Sequence, residues 1–134
     1  MDSFLGKWRL IKNNDFNLFL IFTQTSWIER TVAENSNINV EIKKITDKSY
    51  SKSIESYFYN ANENIKLDNT YKLYDKLKKR YSYNENKIQT DIIGTIVNWN
   101  ENIFVNKKDQ LVIEYVWSED NLTKKASQIF EKQR

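Results

Sequence analysis

From Asn37 onward, apolar and polar residues alternate along the chain with a period of two. Asn37-Ile38-Asn39-Val40-Glu41-Ile42 is the clearest stretch: every second side chain is apolar, as in a strand buried on one face. Ser49–Tyr59, Ile65–Leu67, Thr70–Tyr74, Leu77–Tyr83 and Lys87–Ile93 continue the pattern, and Thr95–Val105, Gln110–Trp117 and Lys124–Lys132 complete it. Turns are expected at Asp47-Lys48, Ala61–Asn64, Asn84–Asn86, Lys107–Asp109 and Glu119–Asn121. Asn and Asp serve there because they tolerate a left-handed backbone. Short strands at this spacing, with no long helices between them, predict an antiparallel barrel or sandwich. Closure into a barrel would abolish the exposed edges that this proline-free chain does not otherwise guard.

The first third of the chain departs from that period. Leu5–Ile11 reads as a strand and contains Gly6, one of two glycines. Asn13-Asn14-Asp15 offers turn and N-cap chemistry. Phe16, Phe19 and Leu20 then fall at helical spacing, although Leu18–Phe22 also reads as a buried strand. Ser26-Trp27-Ile28-Glu29 has the form of a capping box. The pattern predicts two short helices, about 16–23 and 26–34, after the first strand.

Composition removes several classes of function. The 134 residues predict a single domain, 1–134, able to bury roughly two thirds of its unfolded surface. The aromatic content of 14% marks a chain that builds a core rather than a disordered one. There is no cysteine and no histidine, so thiol chemistry, the commonest general base and the commonest metal ligands are missing. The acids are scattered, without calcium-loop spacing, so neither metal nor cofactor nor catalysis is expected. The net charge of +3 is interspersed; it permits contact with anionic membrane surfaces and argues against nucleic acid. With no cysteine, no signal-like N-terminus and no long apolar run, the expected setting is the cytoplasm.

The opening MDSFLGKWRL, then Asp15-Phe16, then SWIERTVAEN, resembles the intracellular fatty-acid-binding proteins. These are small lipid carriers of the calycin superfamily and include the cellular retinoid-binding proteins. Gly6, Trp8, Leu10, Phe16, Phe19 and Leu20 match the family opening, with Asp15 where Asn is usual and Asn17 where an acid is usual. Leu111-Val112-Ile113-Glu114 and Gln128–Lys132 resemble the last two strands. Length and element order agree over the whole chain, while from about Thr46 to Ile103 the likeness is one of pattern. The resemblance implies a mainly β fold: a ten-stranded antiparallel up-and-down β-barrel, or clam, with a helix-turn-helix lid after the first strand. It implies a non-catalytic monomer that binds and transports a long-chain fatty acid, retinoid or related lipid in its cavity.

The resemblance also implies a site. The family's fatty-acid binders hold the carboxylate with an Arg-x-Tyr pair in the last strand and a second Arg two strands before the end. Here Gln128 and Phe130 stand at the pair's positions, and ungapped counting from Leu111 puts Phe104 at the second Arg. A guanidinium forms charge-assisted hydrogen bonds to a carboxylate, whereas a Gln amide carries no charge. A carboxylate buried against Gln128 would lose its compensation, which points to a long, apolar ligand with a neutral head group. The competing reading makes Gln128 an ordinary satisfied barrel residue and gives a carboxylate to a lysine or arginine elsewhere.

Phe16, Phe19, Leu20, Trp27 and Ile28 are candidates for lining the ligand portal, or form only the packing face of the lid. Phe58 aligns with a portal-closing phenylalanine or belongs to the core. Gly6 is read as a point of close backbone approach and Trp8 as the plug of the closed end. Lys76, Lys78, Lys79 and Arg80 form the densest basic cluster, read as a solvated strand face, with membrane docking as the alternative. The alternative function is a calycin-type carrier or lyase-like chaperone for linear tetrapyrroles. A barrel that stacks single-stranded nucleic acid on Tyr81 and Tyr83 is disfavoured by the balanced charge.

Overall fold

The computed structural model describes residues 2–35, 37–56 and 60–133. A short 3-10 turn, Asp2–Phe4, leads into β1 (Gly6–Asn14), then α1 (Phe16–Phe22) and α2 (Trp27–Asn35). Nine further strands follow: β2 (Ile38–Thr46), β3 (Ser49–Ser56), β4 (Asn60–Lys66), β5 (Lys72–Tyr74) and β6 (Leu77–Asn84), then β7 (Lys87–Ile93), β8 (Asn98–Val105), β9 (Leu111–Glu119) and β10 (Leu122–Lys132). All ten strands belong to one antiparallel sheet in the order β4-β3-β2-β1-β10-β9-β8-β7-β6-β5. This is the mainly β, up-and-down architecture with a helical pair after the first strand that the pattern and the resemblance led us to expect.

The period of two becomes an inside and an outside. On β7, Ile88, Thr90 and Ile92 are buried, and on β10 so are Ala126, Gln128 and Phe130. Trp8, Val40, Ile42, Tyr50, Ile103, Leu111 and Phe130 meet in the interior. Trp8 is plugged in place by its indole N–H, which donates to the Phe4 carbonyl at 2.9 Å. Gly6 has φ +123°, and a Cβ there would meet only the flexible end of Lys132. Backbone conformation, not the close backbone approach expected from sequence, is what demands glycine. At the β6–β7 and β9–β10 hairpins Glu85, Asn86, Asp120 and Asn121 all have positive φ, as two-residue turns between twisted strands require.

The helices keep their expected places. Ser26 Oγ accepts the Glu29 backbone N–H at 3.3 Å, one half of the capping box. Asp15 sits at the N-cap of α1 in a left-handed conformation and makes no side-chain cap bond. Its carbonyl accepts the Leu18 N–H at 3.0 Å instead. No described helix is long and apolar enough to cross a membrane.

Three expectations change. First, β1 does not stop before Asn13-Asn14. A bulge between Leu10 and Lys12 shifts the register, so that Leu10 faces Phe130 and Asn13 faces Gln128. Second, Ala61–Asn64 is not a turn but the middle of β4. Its inward positions are Ala61, Glu63 and Ile65, and its exposed ones are Asn60, Asn62 and Asn64, so a charged residue inside hid the alternation. Third, among the described residues hydrogen bonding does not close the barrel: β4 and β5 are the two ends of the sheet. Side chains cross the seam between them. Glu63 of β4 contacts Lys79 and Tyr81 of β6, and the Tyr74 hydroxyl of β5 reaches the Asn64 carbonyl at 3.5 Å.

Candidate functional site

The lid is an aromatic stack. Helical spacing puts Phe16 and Phe19 on the buried side of α1. Phe19 lies on Tyr115 with ring centroids 4.4 Å apart and also meets Trp99 and Trp117, each at 5.6 Å. Phe16 packs on Tyr115 at 5.3 Å, and Phe22 stacks on Trp117 at 5.5 Å. Leu20 packs against the same cluster. Such ring pairs add about 0.5–1.5 kcal/mol each beyond their area burial. The indole N–H of Trp117 is buried beside the Glu119 carboxylate, at a geometry short of a hydrogen bond.

Below the lid, the wall formed by β1, β10 and β9 carries a neutral polar network. Tyr115 Oη donates to Gln128 Oε1 at 2.8 Å, and Gln128 Nε2 donates to Asn13 Oδ1 at 3.3 Å. The register explains the meeting, because Asn13 and Ile113 are the strand partners of Gln128 on either side. Gln128 is only 5% exposed and has both ends of its amide occupied. The surrounding inward residues Leu10, Ile113, Leu111 and Phe130 are apolar.

The wall at the seam is of another kind. Lys52 of β3 and Glu63 of β4 are strand partners, with Nζ 3.2 Å from Oε2. Lys79 of β6 reaches the other oxygen of Glu63 at 3.3 Å, and the Tyr81 hydroxyl donates to that same oxygen. Burial would raise the Glu63 carboxyl. The Lys52 and Lys79 ammonium charges override it, with hydrogen bonds from Tyr81 and Lys52, and hold the group at about 2. Burial pushes the Tyr81 hydroxyl well above its ordinary value, and the adjacent Glu63 charge pushes it further. Two cations therefore meet one anion at this point, and a second inward anion, Glu101, lies near enough to act on Tyr81. Among the described residues no group of acids, His or Cys could hold a metal ion.

Solved structures share this fold over nearly the whole chain. A Schistosoma mansoni fatty acid binding protein in complex with arachidonic acid superposes with a TM-score of 0.80 at 19% identity, covering 100% of this chain and 98% of its own. Lipid binding protein 8 of Caenorhabditis elegans gives 0.83 at 16%, covering 99% and 97%. The chain has the fatty-acid-binding-protein fold. The fluorescent protein UnaG shares that fold, with a TM-score of 0.85 at 11% identity and 98% of both chains covered. No protein-family model matches the sequence, and no curated protein is significantly similar to it.

Within the fatty-acid-binding-protein fold, the residues singled out from sequence separate into groups. Phe16, Phe19 and Leu20 lie together under the lid. Ile28 does not join them: it is 59% exposed on α2. The Trp27 side chain and Phe58 lie outside the described residues. Gln128 and Phe130 both face inward. Phe104 stands on the outer face of β8, paired with Val112 and with the Lys87 ammonium 4.6 Å from its ring centre. The inward neighbour is Ile103, so counting back from Leu111 was off by one face. The basic cluster is not one solvated face either. Lys76 and Lys78 are exposed, Arg80 pairs with Asp91, and Lys79 turns inward to Glu63. Sequence reasoning missed Asn13, Tyr115, Lys52 and Glu63. The β9–β10 register would have found Tyr115; an inward Lys and Glu imitate a solvated strand.

Proposed function

We propose that this protein binds a long hydrophobic small molecule, such as a fatty acid, a retinoid or a related lipid, inside its barrel and carries it without chemical change. The observation that carries the reading is the lid. One seven-residue helix rests Phe16, Phe19 and Phe22 on Tyr115 and Trp117. Lifting this helix would cost its ring contacts and open the interior beneath it. Proteins of the same fold described as a fatty acid transporter and as lipid binding support the reading. The setting we propose is the cytoplasm, with the protein acting as a monomer and touching anionic membranes transiently. At the last strand, Gln128, Tyr115 and Asn13 suit an uncharged polar group, because none of the three supplies a charge to compensate a buried carboxylate.

Titration with a long-chain fatty acid and with the corresponding alcohol, read by tryptophan fluorescence, tests this. Trp99 and Trp117 flank the lid, so ligand beneath it should change their emission. Saturation by either lipid at about one molecule per chain is expected, as in small-molecule sites that bury most of the ligand. Folded protein that binds neither lipid would contradict the proposal. Saturation by a linear tetrapyrrole alone would favour the tetrapyrrole-carrier reading.

A further inference from the structure

We propose that the ammonium groups of Lys52 and Lys79 are the receptor for a carboxylate on the ligand, at the seam between β4 and β6 rather than at the last strand. The inference rests on the carrier reading above and assigns the acid end of the ligand within it.

Three observations lead there. The first is charge. Lys52 and Lys79 both contact Glu63, which leaves the trio one positive charge in excess. Glu63 remains ionised at neutral pH, so it does not relieve that excess. An anion arriving between the two lysines would be met by charge-assisted hydrogen bonds, roughly twice as strong as neutral ones. The second is space. A cavity of about 270 Å³ lies at this point, opening at the edge of β4; Lys52, Glu63, Lys79 and Tyr74 border it, with Ile54 and Ala61 and the exposed Asn62 and Asn64. A water molecule takes about 30 Å³ of liquid volume, so a carboxylate with its first methylenes has room. Beside its charged groups the lining offers Ile54 and Ala61 to the first methylenes of an amphiphile. The third is the rest of the interior. The last-strand network is neutral and already paired. Glu101, on the inward side of β8, takes the Trp99 indole N–H at 3.2 Å and would repel a carboxylate. Lys72, the strand partner of Lys79, is committed to Asp68.

A purely structural role for the cluster, closing a seam that lacks a backbone ladder, would affect acid and alcohol ligands alike. The test therefore reads the ratio of affinities for a long-chain acid and its alcohol, in the wild type and in two variants. Lys79→Met keeps the Lys52–Glu63 pair and removes the excess charge; the acid-to-alcohol ratio should fall by about tenfold, the value of one hydrogen bond to a charged group. Glu63→Gln keeps the shape and doubles the excess charge; the ratio should rise. An unchanged ratio in Lys79→Met overturns the inference while leaving lipid carriage standing. Binding of neither ligand by the wild type overturns lipid carriage and this inference with it. Should Glu63→Gln fail to fold, Lys79→Met alone decides.

Discussion

The two walls of the barrel solve the same problem by opposite means. At the last strand, β10 is laddered to β1 and β9 along most of its length, and the polar groups inside are neutral and mutually satisfied. At the seam no ladder joins β4 to β6 among the described residues, and the join is made by a cluster of the buried Lys52, the partly buried Glu63 and Lys79, and a tyrosine. Where the backbone supplies hydrogen bonds, side chains are left to fill space. Where it does not, side chains must bridge, and charged ones bridge at a distance. The difference matters because buried ion pairs add little net stability while intact but cost much when half removed.

The largest effect should therefore come from breaking the seam. Glu63→Leu strands two lysines in the interior and should cost about 3–5 kcal/mol in urea unfolding. The second comes from pH. The folded Glu63 carboxyl lies at about 2, below its ordinary 4.5. Its contribution is thus complete above about pH 4.5 and is lost as the pH falls from there towards about 2; its size is on the order of 2–3 kcal/mol. Unfolding curves across that window should fall more steeply for the wild type than for Glu63→Gln. A smaller effect is expected at the other wall. Gln128→Leu removes the amide that bonds both the Tyr115 hydroxyl and Asn13 and should cost about 1–3 kcal/mol. Equal losses in Gln128→Leu and Glu63→Leu would erase the contrast. The smallest effect should be that of Lys79→Met, because the remaining Lys52–Glu63 pair is neutral; about 1 kcal/mol or less is expected by the same unfolding measurement.

The two walls were also unequally legible from sequence. The neutral wall was read through the resemblance: Leu111-Val112-Ile113-Glu114 and Gln128–Lys132 resemble the last two strands, and β9 and β10 run through both. Its polar partner Asn13 was hidden by a bulge, which adds a residue that no period reveals. The charged wall was close to unreadable. Asn60–Lys66 has Glu63 inside, and Leu77–Asn84 has Lys79 inside, so both imitate solvated stretches until their partners on neighbouring strands are known. Lys52 and Glu63 meet only because β3 and β4 pair in one register. The edges of the sheet followed the same rule, since closure depends on contacts between residues far apart in the chain. Ile28 shows the limit from another side: capping chemistry locates α2, but not which of its residues turn outward.

The most direct test of lipid carriage with the acid end at the seam is carbon NMR of a carboxyl-labelled long-chain fatty acid added to the protein. The expected result is one bound carboxyl signal at about one ligand per chain, whose midpoint lies below that of ordinary carboxyls because two ammonium groups face it. In Lys79→Met that midpoint should move up. No bound signal would contradict lipid carriage, and a bound carboxyl with a raised midpoint, indifferent to Lys79→Met, would contradict its place between Lys52 and Lys79.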